Sequence, residues 1–248
     1  MVALVTGASS GIGRDIAREL SKRGYDLILV ARDLEKLNEV KAELKTKVET
    51  VSMDISNPEN CKQLHEKYKD IDILVNNAGF GDCGNFTHTD LNKELTMIKT
   101  NIIAYHILTK LYLVDMKAKN SGKILNVASI AGFMPGPLMA TYYSTKAYVV
   151  RLTQSIRHEL FKMGSKVKIC ALCPGPVATN FNKVADVKFN LAEADSRYVA
   201  KYAVKKMFKN RTLIFPNFFI WLGRVFSKIM PDQVSSFFCY YAQRRKIQ

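Results

Sequence analysis

Cysteine is scarce in this chain, with five among 248 residues. Cys61, Cys83, Cys170, Cys173 and Cys239 are too few and too unevenly placed for a disulfide framework, and they suit a reducing, cytoplasmic setting. Cys170 and Cys173 have the spacing of redox and zinc sites. They end the apolar run 167–173, however, and no second Cys or His pair adjoins them, so core packing is the expectation. His65, His88, His106 and His158 show no ligand pairing, and no metal is expected. Long apolar runs are also missing. A membrane-spanning helix needs roughly 20 apolar residues, whereas the longest run near the C-terminus is Phe218–Leu222, interrupted by Pro216, Asn217, Arg224 and Lys228. No transmembrane segment is expected. Val2–Val5 already reads as a strand feeding a glycine turn, which leaves no signal peptide to expect. Acidic residues are the minority, 22 against 37 Lys and Arg, for a formal net charge of +15. The positive charge is scattered and no basic stretch interleaves with aromatics, so no nucleic-acid partner is expected. The surplus reads first as a lysine-rich soluble surface; the alternative is attraction to anions: a phosphorylated cofactor, a phosphate-bearing substrate, or peripheral contact with an acidic membrane surface.

What is present is a regular alternation. Short apolar strands are predicted at Val2–Thr6, Asp26–Ala31, Val48–Met53, Ile71–Asn76, Gly122–Ala128, Lys166–Cys173 and Thr212–Phe215. Their near-continuous apolar character suits strands covered on both faces, as in a parallel sheet. Helical patterns lie between them at Ile12–Arg23, Leu34–Lys45, Pro58–Lys69, Leu91–Lys117, Thr141–Met163 and Asp195–Lys209. Asn57 precedes Pro58 as a cap, and Gly24 follows Arg23 as a stop. The alternation predicts an α/β fold of the Rossmann type: a doubly wound, seven-stranded, mostly parallel sheet flanked by helices. Residues 1–216 read as a single cofactor-binding and catalytic domain. Residues 217–248 read as an amphipathic helical extension of it, split at Pro231. In the extension, Phe218, Trp221, Leu222, Val225, Phe226 and Ile229 recur at helical spacing, with Arg224 and Lys228 on another face. Packing over the core or the substrate entrance is the expected use of that face; a dimer contact or membrane-surface docking is the alternative.

Two groups of residues carry chemistry. The first is the turn Gly7-Ala8-Ser9-Ser10-Gly11-Ile12-Gly13, between a strand and a helix. Glycines there permit a tight turn and close approach of a pyrophosphate to backbone amides at a helix N-terminus. Arg32 follows the second strand, where an acid would bind a ribose 2′-hydroxyl and an arginine accommodates a 2′-phosphate. Arg32 therefore favours NADP(H), with NAD(H) as the second option. Asp33 beside it either repels the phosphate or serves only as a helix cap. The second group is Tyr142 and Lys146, four apart on one helical face. A free tyrosine has a pKa of about 10, and a neighbouring lysine cation is expected to lower it by favouring the phenolate. Ser129 follows the strand ending at Ala128, at the strand end that faces a ligand crevice. There it can stabilise a developing alkoxide. Asn101 is an unfavourable residue inside a helical pattern, which suggests a functional reason for it.

These residues together resemble the short-chain dehydrogenase/reductases over roughly residues 2–215. Thr6-Gly7-x-x-x-Gly11-x-Gly13 is similar to that family's cofactor fingerprint, and Asn76-Asn77-Ala78-Gly79 to its second motif. The resemblance implies that Asp54 contacts the adenine ring. It also implies that Pro174, Gly175, the Val177 backbone and the Thr179 hydroxyl hold the nicotinamide end. Asn101, Ser129, Tyr142 and Lys146 resemble the catalytic set, with Lys146 also holding ribose and Asn101 ordering a water-mediated proton path. The activity implied is interconversion of a small-molecule carbonyl compound and its alcohol. Met134, Pro135, Leu138, Met139 and Phe181 flank the reacting positions and suggest a hydrophobic ketone, acyl or steroid-like substrate. Pairing through the helices holding Asn101 and Tyr142 is implied as well, giving a homodimer or homotetramer. A non-catalytic dinucleotide-binding regulator and a membrane-surface or partner-binding protein acting through the tail are the competing functions.

Overall fold

The apolar runs form a seven-stranded sheet in a computed structural model that describes residues 1–179, 181 and 193–247. The strands are β1 Val2–Thr6, β2 Asp26–Ala31, β3 Val48–Ser52, β4 Ile73–Asn76, β5 Lys123–Val127, β6 Lys168–Leu172 and β7 Leu213–Ile214. Their order is β3-β2-β1-β4-β5-β6-β7, and every pairing is parallel. Both β2 and β4 lie beside β1, so the connections diverge there. The crevice outside such a divergence is where ligands bind in open α/β sheets.

Both faces of the sheet are covered. Along β1, Ala3 and Val5 join one core with Leu37 and with Ile16, Leu20, Val199 and Val204, from the helices α1 Gly11–Ser21 and α7 Ser196–Phe208. Leu4 points the other way, toward Leu64, Leu108 and Tyr112, from α3 Pro58–Lys67 and α5 Ala104–Ala118. The same alternation runs through β4, with Ile73 and Val75 opposite Leu74. Each such side chain contributes about 1.5–3 kcal/mol by leaving water. Cys170 and Cys173 fall on opposite faces of the sheet, both buried, so the Cys-x-x-Cys spacing forms no pair and the two thiols pack the core.

Helix boundaries follow their signals. Asn57 accepts from Glu59 N at 3.0 Å to cap α3, and Gly24 takes a left-handed φ of +79° after α1. Asp33 caps α2 Leu34–Ala42, accepting from Lys36 N at 3.0 Å. One expected helix departs from its prediction. The pattern Leu91–Lys117 is divided into α4 Leu91–Ile98 and α5 by a π-helical turn at Lys99–Ile103. A π turn widens the helix locally and recurs at functional sites, and this one carries Asn101. The tail forms α8 Phe218–Ile229 and α9 Asp232–Ile247, divided near Pro231 as the sequence suggests.

Contact between α8 and the rest of the chain does not follow the expected apolar stripe. Ile220 packs against Gly175, where an added Cβ would come within 2.6 Å of Ile220 Cδ1. Arg224, placed by sequence on another face, is half-buried with its guanidinium 5.8 Å from the Phe133 ring centre. Phe218, Trp221, Phe226 and Ile229 are exposed. The Ile220–Arg224 edge is the part of α8 that meets the loop after β6 and the short turn Ile130–Phe133, and this turns much of the apolar stripe outward.

Candidate active site

A cleft of about 820 Å³ runs across the sheet's C-terminal edge. One end is shaped by backbone. Gly7 and Gly11 have φ of +64° and +54°, a region that side-chain-bearing residues rarely enter. Space forbids a side chain as well: a Cβ on Gly7 would lie 2.7 Å from Ala78 Cα, and one on Gly11 2.9 Å from Thr179 Cγ2. Ser9, Ser10 and Ile12 line the cleft beside them. Ser10 precedes α1 but makes no side-chain capping bond, so the first-turn amides of α1 face the cleft without that partner. Such amides suit an anion. Gly13 is not in the lining. It lets α1 approach the turn, because a Cβ there would lie 2.3 Å from both Gly7 O and Asn77 Nδ2.

Asn77 braces this turn from the next strand. Its Nδ2 donates to Thr6 O and Gly7 O, each at 3.0 Å. The Asn77 and Ala78 amides both donate to Thr6 Oγ1, at 2.9 and 3.2 Å. Asn77, Ala78 and Gly79 thus line the cleft while tying β4 to β1. Arg32, Lys36 and Asp54 line the cleft at this same end, on the β2–β3 side of the glycine turn. Asp33 is committed to its cap and to Lys36 Nζ at 2.6 Å, and those bonds hold its carboxyl below the usual range. Arg32 makes no ion pair among the described residues, so its charge is available at the rim. Lys36, one helical turn after Arg32, adds a second cation that the sequence reading did not single out.

The opposite end gathers the reacting candidates. Ser129 follows β5; its Oγ accepts from Ala131 N at 3.1 Å and lies 3.4 Å from Pro174 O. Tyr142 and Lys146 project from α6 Ala140–Lys162. Burial pushes the Tyr142 hydroxyl up to about 12, partly offset by a side-chain hydrogen bond with Ser129. The expected lowering by Lys146 is not what governs it. Lys146 Nζ donates to Val127 O at 2.9 Å and sits 5.8 Å from the Tyr142 ring centre. Burial pulls Lys146 down to about 8, against a smaller opposing effect from Cys173.

Asn101 lies behind the cleft wall, fully buried. Its Nδ2 donates to Phe80 O at 2.9 Å and Thr145 Oγ1 at 3.1 Å, and its Oδ1 accepts from Phe80 N at 3.2 Å. It therefore clamps the segment after β4 to α6. A Cβ on Gly79 would lie 2.8 Å from Asn101 Oδ1 and 3.6 Å from Lys146 Nζ, so the two side chains border the same small space.

Pro174, Gly175, Val177 and Thr179 line the cleft between the two ends, and Thr179 Oγ1 accepts from Phe181 N at 3.3 Å. Of the apolar residues expected around the reacting centre, Met139 and Phe181 are in the lining, and the Phe181 and Tyr142 ring centres are 5.3 Å apart. Met134, Pro135 and Leu138 are not. Leu138 takes a left-handed φ of +65° and its carbonyl accepts from Gly84 N at 2.8 Å, which turns this loop away. Tyr143, Ile130 and three residues of α9 (Cys239, Ala242 and Gln243) occupy the wall instead. Gln243 Nε2 bonds Tyr143 Oη at 2.5 Å. No local signal marks this contact across 100 residues of sequence.

The short chain dehydrogenase family model matches residues 1–188. An uncharacterized oxidoreductase of Staphylococcus epidermidis is 37% identical over 189 residues, covering 75% of this chain and 81% of its own length. An NADP-dependent 3-hydroxy acid dehydrogenase of Schizosaccharomyces pombe is 36% identical over 192 residues, 73% of each chain. Among solved structures, a short-chain dehydrogenase from Sphingobium yanoikuyae in complex with NADPH aligns with a TM-score of 0.83 at 28% identity, covering 88% of each chain.

Proposed function

The chain belongs to the short chain dehydrogenase family, and we propose that it is an NADP(H)-dependent oxidoreductase interconverting a hydrophobic carbonyl compound and its secondary alcohol. The observation that carries this reading is the meeting of Ser129, Tyr142 and Lys146 at one end of a cleft whose other end presents Arg32 and Lys36. A nicotinamide dinucleotide supplies the hydride when bound. The α1 amides and the glycine turn hold its diphosphate, Arg32 its 2′-phosphate, Asp54 the adenine side, and Pro174 to Thr179 the nicotinamide side. The NADP and NADPH named for the Schizosaccharomyces and Sphingobium relatives support this preference.

Tyr142 carries the proton. With its hydroxyl pushed up to about 12, it remains protonated at neutral pH and serves as the acid in carbonyl reduction. Ser129 orients the substrate oxygen. Lys146 holds the ribose and, as a cation, stabilises negative charge near Tyr142. Asn101 keeps the segment after β4 in place and borders the space beside Lys146, which suits a relayed proton. Met139, Tyr143 and Phe181 make the reacting end largely apolar, in keeping with a ketone, acyl or steroid-like substrate. The tail 217–248 acts as an extension of the domain formed by 1–216, because α9 completes the cleft wall. Exposed Leu95, Ile103 and Val114 on the α4–α5 segment favour self-association there, as a homodimer or homotetramer. The buried thiols of Cys61, Cys170 and Cys173 suit a cytoplasmic location.

The test is a panel of hydrophobic ketones, 3-oxoacyl compounds and their alcohols, assayed with NADPH and NADH by nicotinamide absorbance. Turnover with NADPH on apolar carbonyls is expected. Tight dinucleotide binding with no turnover across the panel in either direction would favour a binding regulator.

A further inference from the structure

The tail helices carry a cluster of exposed apolar side chains. Phe218, Phe219, Phe226 and Ile229 on α8, and Phe237 and Phe238 on α9, are each more than half exposed. Single exposed apolar residues are ordinary, but a cluster on two successive helices marks an interaction surface. The cluster is partly ordered within itself, with the Phe218 and Trp221 ring centres 5.5 Å apart and those of Phe237 and Tyr241 4.8 Å apart. The same tail is rich in charge of one sign, with Lys228 and Arg244 exposed and Arg224 turned to the body. Residues 217–248 contain Arg224, Lys228, Arg244, Arg245 and Lys246 against the single acid Asp232.

We propose that α8 and α9 dock this protein on an anionic lipid surface, with the aromatic side chains in the headgroup layer and the cations toward the lipid phosphates and carboxylates. Three observations select this occupant. The tail's cations complement an anionic surface and add to a chain already at +15. A second copy meeting this face symmetrically would set the same cations against each other, which opposes pairing. No helix among the described residues is long and apolar enough to cross a membrane, so the contact is peripheral. Exposed Phe, Trp and Tyr side chains on helices that also expose Lys228 and Arg244 suit the interface plane. Docking stands independently of the reaction proposed above. If that reaction holds, the arrangement also sets the cleft wall formed by Cys239, Ala242 and Gln243 beside the lipid.

Trp221 is the only tryptophan in the sequence and is 42% exposed, so its emission reports on α8 in the full-length protein. Phosphatidylcholine vesicles with and without phosphatidylserine are added at low and at physiological salt, and co-sedimentation is measured in parallel. The expected result is a blue shift and co-sedimentation with the phosphatidylserine vesicles, weakened several-fold by salt and slight with phosphatidylcholine alone. Replacing Phe219 and Ile229 together by Asp should lower vesicle partitioning about tenfold or more while leaving the melting temperature and NADPH affinity unchanged. Absence of both signals with phosphatidylserine vesicles overturns the proposal. So does equal, salt-independent binding to both vesicle types. A blue shift that instead grows with protein concentration without lipid, accompanied by a doubled mass, identifies a second copy as the occupant and overturns it as well. Turnover is not read in any arm, so a failed docking test leaves the proposed reaction untouched, and the converse also holds.

Discussion

The two ends of the cleft are built by different means. The end bounded by Gly7, Gly11 and Arg32 comes from the first two strand–helix units and is defined largely by backbone. Left-handed glycines, uncapped helix amides and the Asn77 brace leave few side chains to place. The opposite end is assembled from pieces far apart in sequence. Ser129 comes from the end of β5, Tyr142 and Lys146 from α6, Phe181 from beyond β6, and Gln243 from the last helix. One end needs local geometry, and the other needs the whole chain folded. The proposed division of labour follows: changes at the backbone end should act on dinucleotide affinity, and changes at the assembled end on rate and substrate.

The largest expected effect tests that division directly. Tyr142→Phe should cut kcat by about 10²–10⁴-fold, the usual worth of a positioned proton donor, and leave the Kd for NADPH unchanged in a fluorescence titration. A near-wild-type rate would show that the reacting end is not centred on Tyr142. The next concerns pH. Because Tyr142 is pushed up to about 12, its acid form predominates at neutrality and its base form grows as pH rises. Carbonyl reduction should therefore change little across neutral pH, whereas alcohol oxidation should climb by more than about tenfold from neutral into alkaline solution. Parallel profiles in the two directions would assign the proton to another group.

At the backbone end the effect is smaller and confined to binding. Arg32→Ala should weaken NADPH by roughly tenfold or more, the loss of one charge-assisted bond, and leave NADH unchanged. Equal weakening of both would remove Arg32 from the 2′-phosphate. The smallest effect belongs to Gln243→Ala, which frees Tyr143 at the wall. It should shift KM for hydrophobic substrates a few-fold, about what one lost hydrogen bond allows, with kcat and the Kd for NADPH retained. An effect on NADPH affinity comparable to that of Arg32→Ala would erase the distinction between the ends.

Much of the backbone end was legible before folding. Strand, glycines and helix are contiguous, and the count from Gly13 to Arg32 places the rim cation. Even the ambiguity at Asp33 had a local answer, since it lies three residues before Lys36 and caps α2. The assembled end was legible only in part. Ser129, Tyr142 and Lys146 carry a spacing that sequence shows, but the pattern of Leu91–Lys117 predicts an uninterrupted helix through Asn101, because a π turn leaves that apolar pattern almost unchanged. Proximity in sequence puts Met134, Pro135 and Leu138 at the site, whereas the left-handed Leu138 turns that loop away. The direction of the Tyr142 shift also came out reversed. Proximity of a lysine suggests a lowered value, but burial outweighs the lowering hydrogen bond from Ser129, and burial has no sequence signature.

By itself the sequence determined the parallel α/β fold, the position of the glycine turn and the helical face shared by Tyr142 and Lys146. Each depends on periodicity or spacing within a few residues, where backbone geometry leaves little choice. Tertiary structure alone decided which apolar residues wall the cleft, how far burial shifts Tyr142 and Lys146, and which side of the tail meets the body. Those outcomes depend on contacts between segments as far apart as Tyr143 and Gln243. The alternation of the sequence predicts that α8 has an apolar stripe; only packing through Ile220 and Arg224 turns much of that stripe toward solvent.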